Sequence, residues 1–227
     1  MPRRQHPLQP GRYYHLYNRG NNRGRIFFEE ENYLFFLRKV HRYLLPVFDV
    51  VAYCLMPTHY HLLVKVKEVH KTPGEDDTSE VSETSEVFFP DESPVSEALR
   101  RFSISCTKAI NERFDRVGAL FQGAYQAKPV AEESYLVSLS RYLHRNPVSA
   151  GLVETPAAWS FSSYRDFVGE RTGRLPCPDV VLDAFASRKA YRRFVERRPR
   201  RGNEGDEWKS ALFEDQQDTG MTYTSDT

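Results

Sequence analysis

The chain has 227 residues, 40% hydrophobic and 13% aromatic, enough for one embellished domain or two small ones around a substantial core. Three scattered cysteines, Cys54, Cys106 and Cys177, argue against a disulfide framework and for a reducing compartment. No apolar run is long enough to cross a membrane, and the opening MPRRQHPLQPGRYY is basic and proline-rich, so a soluble, cytoplasmic protein without membrane contact is expected.

The formal net charge of +1 conceals a segregation of sign. Residues 72–99 hold nine acids and no Lys or Arg, and residues 203–227 hold seven acids against Lys209 alone. The remaining body carries 31 basic and 15 acidic residues, a formal +16. A generic solvated surface is one reading. A polyanion partner, nucleic acid before others, is the reading the imbalance favours.

In chain order, RYYHLYNR (residues 12–19) alternates as a strand and runs into the turn-rich RGNNRGR. From Glu29 the positions Tyr33, Phe36, Leu37, Val40 and Leu44 recur at helical spacing behind an acidic first turn, and Pro46 stops the helix. Val47 to Leu55 is β-rich, Pro57-Thr58 turns the chain, and His59 to Val66 returns as the second arm of an antiparallel hairpin. Residues 71–95 are acidic and of low complexity, and read as a flexible insertion. Ala98, Leu99, Phe102, Cys106, Ala109, Ile110 and Phe114 make a second helical stripe, and residues 120–130, LFQGAYQAKPV, read as a strand. A third helix is expected from Glu132 to Asn146, ended by Pro147.

The order β-α-β-β-α-β-α predicts an α+β fold. Its first six elements are the ferredoxin-like arrangement, a four-stranded antiparallel sheet with helices on one face. The extra C-terminal helix is left to pack on the open face. Residues 10–150 are expected to form this domain, with 151–202 as a basic extension and 203–227 as an acidic, disordered tail.

Within MPTHYHLLV (Met56–Val64), His59 and His61 lie two apart, so both imidazoles emerge on one face of a strand. Tyr60, Leu62, Val64 and Val66 supply an apolar opposite face. Two same-facing imidazoles can hold one metal ion, but the bare spacing more often marks two half-exposed histidines. On the third helix Tyr135, Leu139, Tyr142 and Asn146 share a stripe at spacings of four, three and four. A tyrosine facing two histidines suggests nucleophilic attack at phosphorus beside a His-bound divalent ion, with Asn146 as a neutral oxygen ligand. An ordinary half-buried aromatic is the other reading of Tyr142.

YHLYNRGNNRGRIFF, CLMPTHYHLLV, GALFQGAYQAKPV, SLSRYLHRNPVSAGLV and WSFSSYRDF, in that order across residues 13–167, resemble the HUH single-tyrosine transposases. The resemblance is specifically to the REP-associated tyrosine transposases of the insertion-sequence superfamily. It implies that His59 and His61 bind the metal, Mg²⁺ or Mn²⁺, with Asn146 as a third ligand and Tyr142 as the nucleophile. It further implies cleavage and rejoining of single-stranded DNA near a hairpin through a 5′-phosphotyrosine link, by a monomer rather than a homodimer. No GxxxxGK[ST] loop is present, consistent with a covalent link that conserves the phosphodiester energy. Three features depart from the pattern. Tyr60 fills a slot that is usually bulky and hydrophobic, Ala124 stands where many relatives carry a basic residue, and the acidic insertion and tail are extra.

Arg19, Asn21, Asn22, Arg23 and Arg25 crowd the loop after the first strand, which the resemblance makes a reader of single-stranded or hairpin DNA. A glycine-rich turn with solvated arginines is the plainer reading. Tyr13, Tyr14 and Tyr17 are either stacking surfaces for bases or core. Residues 188–201 hold seven arginines, among them Arg192, Arg193, Arg197 and Arg198, suited to a DNA backbone. A non-cutting binder of structured DNA or RNA is the competing function. A water-using phosphoesterase is disfavoured, because Leu63 replaces the third alternate histidine of one class and no pair of separated His-x-Ser/Thr motifs serves the other. The acidic tail is expected to compete with DNA for the arginines. Deleting residues 203–227 should therefore tighten hairpin-DNA binding at low salt by fluorescence anisotropy, and an unchanged affinity removes the competition.

Overall fold

Alternating apolar residues build the sheet. The strands β1 (Tyr13–Arg19), β2 (Phe48–Met56), β3 (His59–Val66) and β4 (Gln126–Val130) are all antiparallel, in the order β2-β3-β1-β4. The computed structural model describes residues 8–68 and 93–197. The chain divides into two compact units, Met1–Val195 and Glu196–Thr227. Of the second unit only Glu196 and Arg197 fall among the described residues.

One face of the sheet presents Leu16, Tyr60, Leu62, Val64 and Val66 to α1 (Glu30–Lys39) and α2 (Pro94–Arg113). Phe36 of α1 lies 4.9 Å, ring to ring, from both Tyr60 and Phe102, a tilted and edge-on cluster that fills the space between helices and sheet. Full burial of each such side chain stabilises by about 1.5–3 kcal/mol. Tyr60, which departs from the resemblance, is thus an ordinary core residue. A capping box starts α1, with Asn32 Oδ1 accepting from the Glu29 backbone N–H at 3.1 Å. The helix widens into a π turn at Val40–Leu44, where Leu45 N–H reaches back to Val40 O at 3.1 Å. Val40 and Leu44 are both fully buried before Pro46 ends the run.

The opposite face carries Ala52, Cys54, Met56, Leu63 and Val130 under α3 (Glu133–Ser149), with α4 (Tyr164–Phe167), α5 (Asp179–Leu182) and α6 (Arg188–Glu196) beside it. The expected α+β fold is therefore present, and the residues from 151 to Val195 belong to the same unit as the sheet.

Three boundaries differ from the sequence reading. Residues 71–92 of the acidic insertion lie outside the described residues, but Ser93–Val95 open α2, with Ser93 Oγ capping Ser96 N–H at 3.2 Å and Pro94 in the first turn. The fourth strand starts at Gln126, because Gly123 turns the chain at φ +77° and leaves Phe121 in a separate bridge with Gly20. Pro147 does not end α3. It lies buried within the helix, and the stop comes at Gly151, whose φ of +69° permits paired bonds from Gly151 N–H to Val148 O and from Leu152 N–H to Pro147 O. The missing proline N–H removes one helical bond, and the buried ring and the closed C-terminus offset that loss.

The two sheet edges are protected differently. Along β2, Leu55 N–H bonds Phe161 O at 2.9 Å, Ser163 N–H bonds Tyr53 O at 3.0 Å and Cys177 N–H bonds Val50 O at 2.8 Å. On the other edge β4 carries Pro129. At the end of β1 the loop closes on itself so tightly that a Cβ on Gly20 would lie 2.0 Å from Gly24 O. Gly20→Ala should therefore cost about 1–3 kcal/mol, read from urea midpoints, as an overpacked site that backbone alone can relieve.

Candidate active site

The antiparallel register decides which side chains meet. Arg19 pairs with His59, Tyr17 with His61 and His15 with Leu63 across β1 and β3, so Arg19, Tyr17 and His15 share the histidine face. Across β1 and β4, Tyr17 pairs with Gln126 and His15 with Lys128. Above them α3 brings down Tyr142, whose ring lies 5.5 Å from that of His61 and nearly perpendicular to it. The His59 and His61 rings are 5.0 Å apart, also edge to face. The Asn146 side chain, one turn along α3, hydrogen-bonds both His59 and Tyr142. His59, His61, Tyr142 and Asn146 are thus brought together.

Burial controls the charge of this group. It is the largest influence on His59, held down at about 4 with Arg19 adding to the shift and Asn146 opposing it. His61 falls well below the usual imidazole range through burial, then through His59 and His15. The Tyr142 phenol is raised above its ordinary value by burial first and by Cys54 second, while its bond with Asn146 pulls the other way. At neutral pH the imidazoles are uncharged, the form that ligates metal, and the phenol keeps its proton.

Among the described residues no three His, Cys, Asp or Glu side chains are placed to hold one metal ion, so any cation would rest on His59, His61 and the Asn146 amide oxygen. Such a set suits a hard divalent ion whose remaining positions go to water or phosphate. The site fits that ion at one further point. His61 Nε2 is buried and has no hydrogen-bond partner among the described residues, while His59 Nδ1 lies 3.0 Å from Thr58 Oγ1.

The far side of α3 is held by a chain of buried hydrogen bonds whose direction can be worked out. Tyr53 N–H donates to Ser163 Oγ at 2.9 Å, and Ser140 Oγ donates to Val137 O at 2.7 Å. Ser140 Oγ must then accept from the Tyr191 hydroxyl at 3.1 Å, which leaves the Tyr191 oxygen to accept from His144 Nδ1–H at 2.7 Å. His144 Nε2 accepts from the Ser163 hydroxyl at 2.8 Å, a closer acceptor than Tyr53 O at 3.3 Å. Every group is satisfied, and the chain ties β2, α4, α6 and α3 together. Arg141 and Arg145 of α3 add bonds to Phe194 O and Val195 O, both at 2.8 Å, where the last carbonyls of α6 favour positive charge.

The basic candidates divide. Asn21, Asn22, Arg23 and Arg25 are exposed on a loop pinned to the hairpin turn by Gly20 N–H to Thr58 O at 2.8 Å and Ile26 N–H to Pro57 O at 2.9 Å. Asn22 and Arg23 are both left-handed, at φ 52° and 57°, an uncommon adjacent pair for residues other than glycine. Arg19 donates to Gln122 Oε1 at 2.6 Å, and its pKa is lowered by burial and then by the nearby charge of Arg23. On α6, Arg193 is exposed and Arg192 pairs with Glu170; Arg197, after the helix, is exposed too. Arg198 lies outside the described residues. Tyr14 is core, and Tyr13 and Tyr17 are half-buried on the histidine face.

Comparison with protein-family models and with curated proteins gives no match. Among solved structures, a REP-associated tyrosine transposase bound to a REP hairpin matches with a TM-score of 0.54 at 16% identity, over 77% of this chain and 93% of that one. The two chains share a fold. In this fold the residues that sequence reasoning passed over are His15, Lys128 and the partners of His144. His15 does share the alternation of Tyr13 and Tyr17, but its apposition to the histidines needs the β1–β3 register.

His144 generates a prediction about stability. Burial, and then Arg171, lower its pKa from 6.5 to about 3 in the folded chain. Its contribution is therefore complete above pH 6.5 and disappears as pH falls towards 3, because the unfolded chain takes up the proton first. His144→Phe should cost about 1–3 kcal/mol for each stranded hydroxyl, and its urea midpoint should fall less steeply than the wild type's on acidification through pH 6.5 to 4.

Proposed function

We propose that this chain is an HUH single-tyrosine transposase of the REP-associated group, cutting and rejoining single-stranded DNA at hairpin-containing sites. The observation that carries the reading is the junction of Tyr142, Asn146, His59 and His61 across α3 and β3, supported by the fold shared with a hairpin-bound transposase. Tyr142 Oη attacks phosphorus, the bond to the 3′ oxygen breaks, and the phenolic proton ends on that oxygen as a 3′-hydroxyl. The product is a 5′-phosphotyrosine. In rejoining, a 3′-hydroxyl attacks the same phosphorus and the tyrosine regains its proton.

Asn146 aims the Tyr142 hydroxyl through their hydrogen bond, while burial excludes water that would hydrolyse the link. His59, His61 and Asn146 would hold Mg²⁺ or Mn²⁺, which when bound would supply polarisation of a phosphate oxygen and favour the phenolate. Arg19 sets a positive charge beside His59, and the exposed Asn21, Asn22, Arg23 and Arg25 stand next to it for phosphate and base contacts. Arg193, Arg197 and Arg198, with Arg192 once released from Glu170, hold the backbone without reading it. The chain acts as a cytoplasmic monomer.

The second reading, a non-cutting binder of structured DNA or RNA, draws on the raised Tyr142 phenol, which resists ionisation. Hairpin oligonucleotides from DNA flanking the gene, incubated with Mn²⁺, separate the two. An SDS-stable protein–DNA adduct, lost in Tyr142→Phe and reduced to background in His61→Ala, is expected. Tight hairpin binding without an adduct, under conditions where Mn²⁺ binds, would select the non-cutting module. Arg23→Ala should leave cleavage chemistry intact and lower the salt slope of binding by about one.

A further inference from the structure

Beneath His61, on the neighbouring strand, lies a third histidine with no part in the scheme above. His15 is fully buried, and its Nε2 sits 2.9 Å from His61 Nδ1. It packs against Tyr17 at 4.8 Å and His61 at 5.0 Å, with interplanar angles of 25° and 23°. Its outer nitrogen, Nδ1, and the outer nitrogen of His61, Nε2, both lack hydrogen-bond partners among the described residues.

A bond between two neutral imidazoles has two proton arrangements. If His15 Nε2–H donates, His61 carries its own proton on Nε2 and presents an N–H, which no cation can use. If His61 Nδ1–H donates, His15 Nε2 accepts and His61 Nε2 is left as an open lone pair. The second arrangement alone makes His61 a ligand. Without an acceptor at His15 Nε2, that ligand form would strand a buried N–H, a loss the rest of the site has no group to make good. His59 has the same design in a plainer form, with Thr58 Oγ1 behind its Nδ1.

We infer that His15 is a positioning residue that accepts the His61 Nδ1 proton and so keeps His61 Nε2 available to a divalent cation. The inference rests on the reading of His59 and His61 as the cation pair. Packing alone would give His15 a different signature. His15→Gln keeps an acceptor near the Nε2 position and loses the stacked ring, whereas His15→Phe keeps the ring and loses the acceptor.

The test measures Mn²⁺ uptake by the full chain, from the disappearance of the free-ion electron paramagnetic resonance signal. Wild type, His15→Gln, His15→Phe, His59→Ala and His61→Ala are compared, with circular dichroism melts to confirm folding. His15→Gln should bind within a few-fold of wild type, and His15→Phe about 10–100-fold more weakly. Equal binding by His15→Phe, or the reverse order of the two variants, overturns the role of His15 and leaves the cation pair standing. No uptake by wild type, or uptake undiminished in His59→Ala and His61→Ala, overturns the cation pair and the inference with it. Should His15→Phe fail to fold, the wild type decides alone. Two-bond proton–nitrogen correlation of its imidazoles, loaded with diamagnetic Cd²⁺, should show His15 protonated on Nδ1 and bare on Nε2, and a proton on His15 Nε2 overturns the proposal.

Discussion

The buried relay through His144 is the constraint on which the geometry of the site rests. Each of its links has one donor and one acceptor, so α3 cannot rotate or slide without stranding a polar group in the core. Tyr142 and His144 are two residues apart, roughly 200° around the helix. Fixing His144 against Ser163 and Tyr191 therefore turns Tyr142 towards the sheet, where His61 waits. The helix that carries the proposed nucleophile is located from behind, by residues that never approach the chemistry.

A different logic governs the sheet side. The three imidazoles His15, His59 and His61 are neutral and largely dry, and the positive charges stand around them: Arg19 beside His59 and Lys128 beside His15. An uncharged floor with a cationic rim suits the proposed phosphate, because it offers positive potential without burying an unpaired charge.

Short-range patterns made much of this legible. Alternation put His59 and His61 on one face, and spacings of four, three and four put Tyr142 and Asn146 on one stripe. Both inferences use only the periods of strand and helix. What stayed hidden depends on partners distant in sequence. His15 lies 46 residues from His61, and Tyr191 lies 47 from His144, so neither contact has a local signal. Pro147 misled for a related reason, since its local cost was real but the ending of α3 belonged to Gly151. The arginine run was read as one surface, yet Arg188 bonds Asp166 O and Phe167 O, and Arg192 pairs with Glu170.

The segment around Phe161–Ser163 and Cys177 does more than support α3, because it also closes the open flank of β2. A chain cut after Ala150 would keep every residue of the proposed chemistry and still lose that cover. Its exposed row of amides and carbonyls, flanked by Val50, Val51, Ala52, Tyr53, Cys54 and Leu55, would be a template for pairing with another copy. The residues of the proposed chemistry therefore end before the segment that both seats α3 and covers the edge of β2.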